Sequence, residues 1–86
     1  MLYDDKFKEV FSEYFTELRK QRKMSRQTLS DFMGLPLSTF TCYEMGLRDC
    51  PLSVFKRLCA FYGIDYVDTF KMLDKEATAR ERKIHN

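Results

Sequence analysis

The chain has 86 residues, of which 44% are hydrophobic and 33% charged, with only three glycines and two prolines. This length supports one small domain with a real core. No apolar run approaches the 18 or more residues of a membrane span, and the acidic, aromatic start is unlike a secretory signal, so we expect a cytoplasmic protein without membrane contact. The cysteines Cys42, Cys50 and Cys59 form no CxxC pair, which predicts reduced thiols rather than disulfides or a zinc site.

The sequence contains few groups suited to catalysis. His85 is the only histidine and lies in the polar C-terminal segment, so acid–base chemistry has no evident agent and a metal no second imidazole. Neither a nucleophile motif nor a glycine-rich phosphate loop is present. We therefore expect a protein that is not an enzyme and that needs no cofactor and no metal.

Positive charge is concentrated in one segment of the chain. Residues 19–30, RKQRKMSRQTLS, contain five basic residues and no acid, whereas residues 1–18 are net acidic. Such a block is often only a solvated face, and it becomes a footprint for a polyanion when the fold turns it toward one. Both interpretations are open from the segment alone.

Helical periodicity predicts two helices in the first 34 residues. Asp4 and Asp5 can cap a first amphipathic helix that runs to about Lys23. Its apolar positions are Phe7, Val10, Phe11, Tyr14, Phe15 and Leu18. Ser25 can cap a second helix, which Gly34 ends in a turn. The apolar stripe of that helix is Leu29, Phe32 and Met33.

Prolines mark the start of the next two predicted helices. Pro36 or Leu37 begins the third, and Gly46 ends it; its inward residues are Phe40 and Tyr43. Pro51 opens the fourth, and Gly63 stops it. The positions that the fourth helix should bury are Leu52, Phe55, Leu58, Cys59 and Tyr62.

A fifth helix is predicted from near Asp65, and it completes an all-α domain over residues 1–73. Its apolar positions are Tyr66, Val67, Phe70 and Leu73. Residues 74–86 are polar on nearly every face, so this tail is either an exposed continuation of the helix or frayed chain.

The central helices resemble the helix-turn-helix of the lambda-repressor and Cro-like family, also called the xenobiotic response element family. The positions that carry the resemblance are Leu18, Arg19, Leu29, Ser30, Gly34, Leu35, Phe40, Tyr43, Glu44 and Gly46. It extends through PLSVFKRLCAFYGID and covers about residues 15–70, with the helix-turn-helix at about 26–45. The resemblance implies a compact five-helix DNA-binding domain whose third helix enters the major groove.

The resemblance also implies roles for individual residues. Arg19 and Glu44 would form a partly buried ion pair, the alternative being that Arg19 contacts a phosphate. Ser30 would be small because the second and third helices cross there. Phosphate contacts would come from the DNA-backbone set, which is Arg22, Lys23, Arg26, Thr39 and Arg48. For Arg48, an ordinary solvated loop arginine is the competing interpretation.

The residues expected to face the bases are Leu37, Ser38, Thr41 and Cys42. None of them can make the bidentate contacts that read guanine or adenine most sharply. Leu37 and the Thr41 methyl group can touch thymine methyl groups, and Ser38 can make one hydrogen bond. We therefore expect weak thymine and shape readout. Alternatively this face, with Met45, docks a partner protein.

Apolar residues at both ends of the chain suggest a homodimer. The last helix would supply Tyr66, Val67, Phe70 and Leu73, and the first helix extends the set with Tyr3, Phe7, Val10 and Phe11. Packing within one chain is the alternative. The sequence thus favours a dimeric, sequence-specific regulator that binds double-stranded DNA, over a protein-interaction module or the antitoxin of a toxin–antitoxin pair.

Overall fold

A computed structural model describes the backbone of residues 2–85 and the side chains of residues 6–83. Over this range every secondary-structure element is an α-helix, which confirms the predicted fold class. The five helices are α1 (Leu2–Gln21), α2 (Arg26–Met33), α3 (Leu37–Glu44), α4 (Leu52–Tyr62) and α5 (Tyr66–His85). None of the helices in the described range is long and apolar enough to cross a membrane.

Local capping explains most helix boundaries. The Ser25 side chain accepts a hydrogen bond from the Thr28 backbone N–H and caps α2, while Gly34 ends that helix in the left-handed conformation at φ 69°. Asp65 caps α5 by accepting from the backbone N–H of Asp68 at 2.9 Å. α1 differs from the prediction because it begins at Leu2, so Asp4 lies inside the helix rather than at its cap.

The core is built around the middle of α1. Phe15 is almost completely buried, and its ring centroid lies 4.7 Å from that of Phe11, 6.0 Å from that of Phe55 and 6.1 Å from that of Tyr62. Val10 adds to the core from α1, and the remaining core residues come from the other four helices: Leu29, Met33, Phe40, Val54, Leu58, Cys59, Leu73 and Ala77. α1 is therefore the scaffold on which the other helices pack.

The C-terminal segment is part of this packed structure. α5 continues through residue 85 and packs along α1, and Ala77 is fully buried between them. Arg80 donates to Glu13 at 2.7 Å and to Glu9 at 2.9 Å across the same contact. Of the two alternatives for residues 74–86, the structure has the continued helix, but that segment is not wholly exposed, because the small side chain of Ala77 packs against α1.

Two predicted core residues lie on the surface instead. Phe32 is 72% exposed, because the buried face of α2 is centred on Leu29 and Ser30, where α3 crosses, and Phe32 lies to one side of it. Leu52 is 65% exposed at the first turn of α4, where the buried face begins with Val54. Phe32 retains one aromatic neighbour, with its ring centroid 5.2 Å from that of Phe61.

Candidate nucleic-acid interface

A tight turn at Gly34 joins α2 to α3. The backbone N–H of Gly34 donates to Asp31 at 3.2 Å, and that of Leu35 donates to Ser30 at 3.0 Å, which closes the C-terminus of α2. Ser30 is fully buried, and its hydroxyl donates to the Gln27 carbonyl at 2.8 Å. A small, internally bonded residue at this point allows α3 to lie close against α2.

Three charged side chains tie the ends of α1, α2 and α3 together. Glu44, 2% exposed at the end of α3, accepts from Arg19 Nε with both carboxylate oxygens at 3.0 Å. Its Oε1 also accepts from Arg26 Nε at 2.8 Å. The guanidinium of Arg19 donates in addition to the Met24 carbonyl at 2.7 Å, within the turn before α2. We call Arg19, Glu44 and Arg26 the charge triad.

Arg26, for which the resemblance implies a phosphate contact, has a structural contact in this chain. It is the first residue of α2, and its contact with Glu44 spans 18 positions of sequence. Sequence reasoning missed this contact, since spacing alone gives no signal for it. Arg57 was missed for the same reason: from α4 it donates to the Met33 carbonyl at 3.0 Å and covers the C-terminus of α2.

The four base-facing candidates lie together along one side of α3. Leu37 and Ser38 are exposed in the first turn, and Thr41 and Cys42 are half-buried one turn later. This surface offers methyl groups, hydroxyl groups and a thiol, but no amide or guanidinium. It can contact thymine methyl groups and make single hydrogen bonds.

The DNA-backbone set is more dispersed than the base-facing candidates. Lys23 is exposed in the turn before α2, at φ 56°, and Thr39 is half-buried in α3. Arg48 is exposed after α3, where its guanidinium lies over the Tyr43 ring at 5.9 Å from the centroid. Arg22 donates to the Tyr62 carbonyl at 3.2 Å and covers the Tyr62 ring, so it holds the end of α4.

The predicted dimer residues divide between surface and core. On α5, Val67 is 42% and Phe70 47% exposed, whereas Leu73 is 1% exposed and belongs to the core. The assignment of Leu73 to a partner-facing surface is therefore corrected, because α1 covers it. Tyr66 is half-buried beneath the Lys56 ammonium, which lies 4.9 Å from its ring centroid.

Phe70 also borders a mainly apolar cavity lined by residues of α1, α4, α5 and the loop before α4. Its ring centroid lies 5.3 Å from that of Phe7 and 6.4 Å from that of Phe55. The other lining residues are Lys8, Phe11, Asp49, Cys50 and Leu52. Of the other α1 residues of the predicted dimer set, Val10 and Phe11 belong to the core, and Tyr3 lies outside the residues whose side chains are described.

Cys50 and Cys59 are not activated thiols. Burial raises the pKa of Cys50 to about 12 and that of Cys59 to about 11, and it disfavours the thiolate at both. Within the described side chains, no group of three or more His, Cys, Asp or Glu residues is placed to hold a metal ion.

Comparison with known proteins gives two informative similarities. The chain is 38% identical over 40 residues to the uncharacterized HTH-type transcriptional regulator YqaE of Bacillus subtilis (strain 168); the match covers 46% of this chain and 34% of that relative. It is 24% identical over 81 residues to the cryptic phage CTXphi transcriptional repressor RstR of Vibrio cholerae, with 90% of this chain and 73% of the relative covered.

No protein-family model matches the chain, and no solved structure does. The match to YqaE spans about a third of that relative, and the match to RstR is longer but less identical. These similarities support a helix-turn-helix DNA-binding domain, and the two helices joined by a tight turn at Gly34 agree with it.

Proposed function

We propose that the chain is a sequence-specific DNA-binding transcriptional regulator of the lambda-repressor-like type, acting in the cytoplasm. The observation that carries this proposal is the exposed N-terminal face of α3, on a helix whose last residue, Glu44, is buried and fixed by two arginines. The similarity to a named regulator and a named repressor supports the same conclusion.

Base readout would be limited to α3. Leu37 and the Thr41 methyl group would contact thymine methyl groups, and Ser38 would make a single hydrogen bond to a base edge. Cys42 would lie at the margin of this contact. Readout of this kind discriminates weakly at each base, so sequence-dependent DNA shape would contribute the remainder.

Affinity would come mainly from basic residues around the helix-turn-helix. Arg26 begins α2, Lys23 lies in the preceding turn, and Arg48 follows α3. Thr39 would add a hydroxyl donor from α3. Arg22 would contribute general positive potential, because its guanidinium is already bonded to the end of α4.

We further propose that the chain binds DNA as a homodimer through α5. Val67 and Phe70 are large apolar side chains that remain substantially in water within one chain, and Leu52 lies beside them in a shared apolar groove. A twofold contact would place two copies of α3 about 34 Å apart, one DNA turn, and would add two weak half-site contacts together.

A different observation supports a second candidate function, which is binding of a partner protein. Leu37, Met45 and Leu47 are exposed apolar side chains in and just after α3, and an interaction module or an antitoxin would use such a surface to bind a protein. The presence or absence of DNA binding decides between the two functions.

The test is selection of bound duplexes from a random library, followed by affinity measurements with single-residue variants. We expect Ser38→Ala to change base preference at one or two positions and to leave the salt dependence of affinity nearly unchanged. Ser53→Ala, an exposed serine on α4, is the matched control and should change neither. Failure to select any sequence at low salt would favour the interaction module.

A further inference from the structure

The charge triad has one more positive than negative charge. Arg19 and Arg26 share the single Glu44 carboxylate, and Glu44 is buried. The Arg19 side chain is 11% exposed and that of Arg26 is 36% exposed, so the excess charge lies toward the solvent, on Arg26. A polyanion that approached this end of α2 would meet a guanidinium already held by the protein.

The contact with Glu44 constrains how Arg26 can present that charge. It uses Nε–H, at 2.8 Å from Oε1, so the N–H donors of the two terminal nitrogens remain outside this hydrogen bond. Helix geometry leaves the first backbone N–H groups of α2 without intrahelical partners, and Ser25 caps that of Thr28. Because Arg26 is the first residue of α2, its remaining guanidinium donors and these backbone N–H groups belong to the same end of the helix.

We infer that Glu44 is a positioning residue for DNA binding: it fixes the guanidinium of Arg26 as a preset phosphate contact. This inference rests on the proposed function and adds a second role to the residue that holds the fold. A free arginine would lose side-chain entropy on binding, whereas Arg26 loses much of it when the chain folds. Because Glu44 is the last residue of α3, the same contact sets the phosphate position relative to the base-facing residues.

Conservative substitution of the arginine separates positioning from charge. With a selected duplex and the full chain, we expect Arg26→Lys to weaken binding about tenfold per bound chain while the salt slope is unchanged, since lysine keeps the charge but loses the fixed fork. Arg26→Gln should also reduce the slope by about one per chain. Arg82→Lys, on an exposed arginine of α5 outside the DNA-backbone set, is the matched control and should leave both the affinity and the salt slope unchanged.

An affinity of Arg26→Lys as close to that of the unaltered chain as the affinity of Arg82→Lys would overturn the positioning role and leave the proposed function intact. Absence of binding by the unaltered chain to any duplex would overturn the proposed function and this inference with it. The two failures are therefore distinguishable.

A double-substitution cycle gives an independent readout that a purely structural role would not move. We expect Glu44→Gln to weaken DNA binding about tenfold when Arg26 is present, and to have no further effect in the Arg26→Gln background, in samples that circular dichroism shows to be fully folded. Additive effects of the two substitutions would contradict coupling. If Glu44→Gln does not fold, the effect of Arg26→Lys on DNA affinity tests the positioning role instead.

Discussion

Arg19 on α1 and Glu44 at the end of α3 are joined across 25 positions of sequence, with Nε 3.0 Å from both carboxylate oxygens. Glu44 is among the most buried side chains of the described chain. An isolated charge at this depth would be costly, and the two arginines satisfy it. The pair therefore fixes where the proposed recognition helix ends relative to the scaffold helix α1.

Removal of the Glu44 carboxylate should destabilise the fold strongly. We expect Glu44→Ala to lower the free energy of unfolding by about 3 to 5 kcal/mol, because the positive charges of Arg19 and Arg26 lose their carboxylate partner. Urea unfolding followed by circular dichroism measures this. Glu17→Ala, an exposed glutamate on α1, is the control and should have little effect. An unchanged urea midpoint for Glu44→Ala would show that the pair contributes nothing to stability.

The sequence is sufficient for the fold class but not for every contact of the candidate site. Apolar periodicity and the capping residues Ser25 and Gly34 indicate the helices, because these signals are local. The contact between Arg26 and Glu44 depends on how α2 and α3 cross, which no spacing rule specifies. The burial of Ala77 was not predicted, because a single alanine in a polar segment gives no apolar stripe.

The two positive-φ glycines on either side of α3 should respond differently to alanine. Gly34 has open space where a Cβ would lie, so Gly34→Ala should cost only the left-handed backbone strain, about 1 to 2 kcal/mol. A Cβ on Gly46 would lie 2.8 Å from the Lys8 carbonyl oxygen. Gly46→Ala should therefore cost at least about 1 kcal/mol more, since α1 must shift. Equal urea midpoints for the two variants would contradict the close approach of α3 and α1.

The contact between α1 and the end of α5 should be sensitive to pH. The hydrogen bond from Arg80 lowers the pKa of Glu13, so this pair stabilises the fold above the ordinary Glu value of 4.5 and loses that effect as pH falls through the lowered value. We expect Arg80→Gln to lower the melting temperature modestly at about pH 7, as exposed ion pairs contribute roughly 1 kcal/mol or less, and to have a smaller effect near pH 3.

Arg82→Gln, an exposed arginine on the same helix, serves as the control for general charge effects. If Arg80→Gln lowers the melting temperature by the same amount at both pH values, the carboxylates do not have the proposed role. High salt should reduce the difference as well.

The proposed dimer predicts a selective effect of charge on α5. We expect Val67→Lys and Phe70→Lys to convert a dimer to a monomer at micromolar concentration, measured by sedimentation velocity, because each places an ammonium group in an apolar contact. Phe32→Lys makes the same chemical change at an exposed phenylalanine on α2 and should leave the dimer intact. A monomeric unaltered chain that still binds DNA would contradict the dimer.

The salt dependence of DNA affinity tests the central claim most directly. After selection from a random library, the unaltered chain should bind the selected duplex more tightly than a scrambled one, and log K should fall linearly with the logarithm of salt concentration. Replacement of Arg48 by Gln should reduce that slope by about one per bound chain, whereas Ser38→Ala should leave it nearly unchanged. No duplex binding at low salt, or equal affinity for selected and scrambled duplexes, would contradict a sequence-specific DNA-binding regulator.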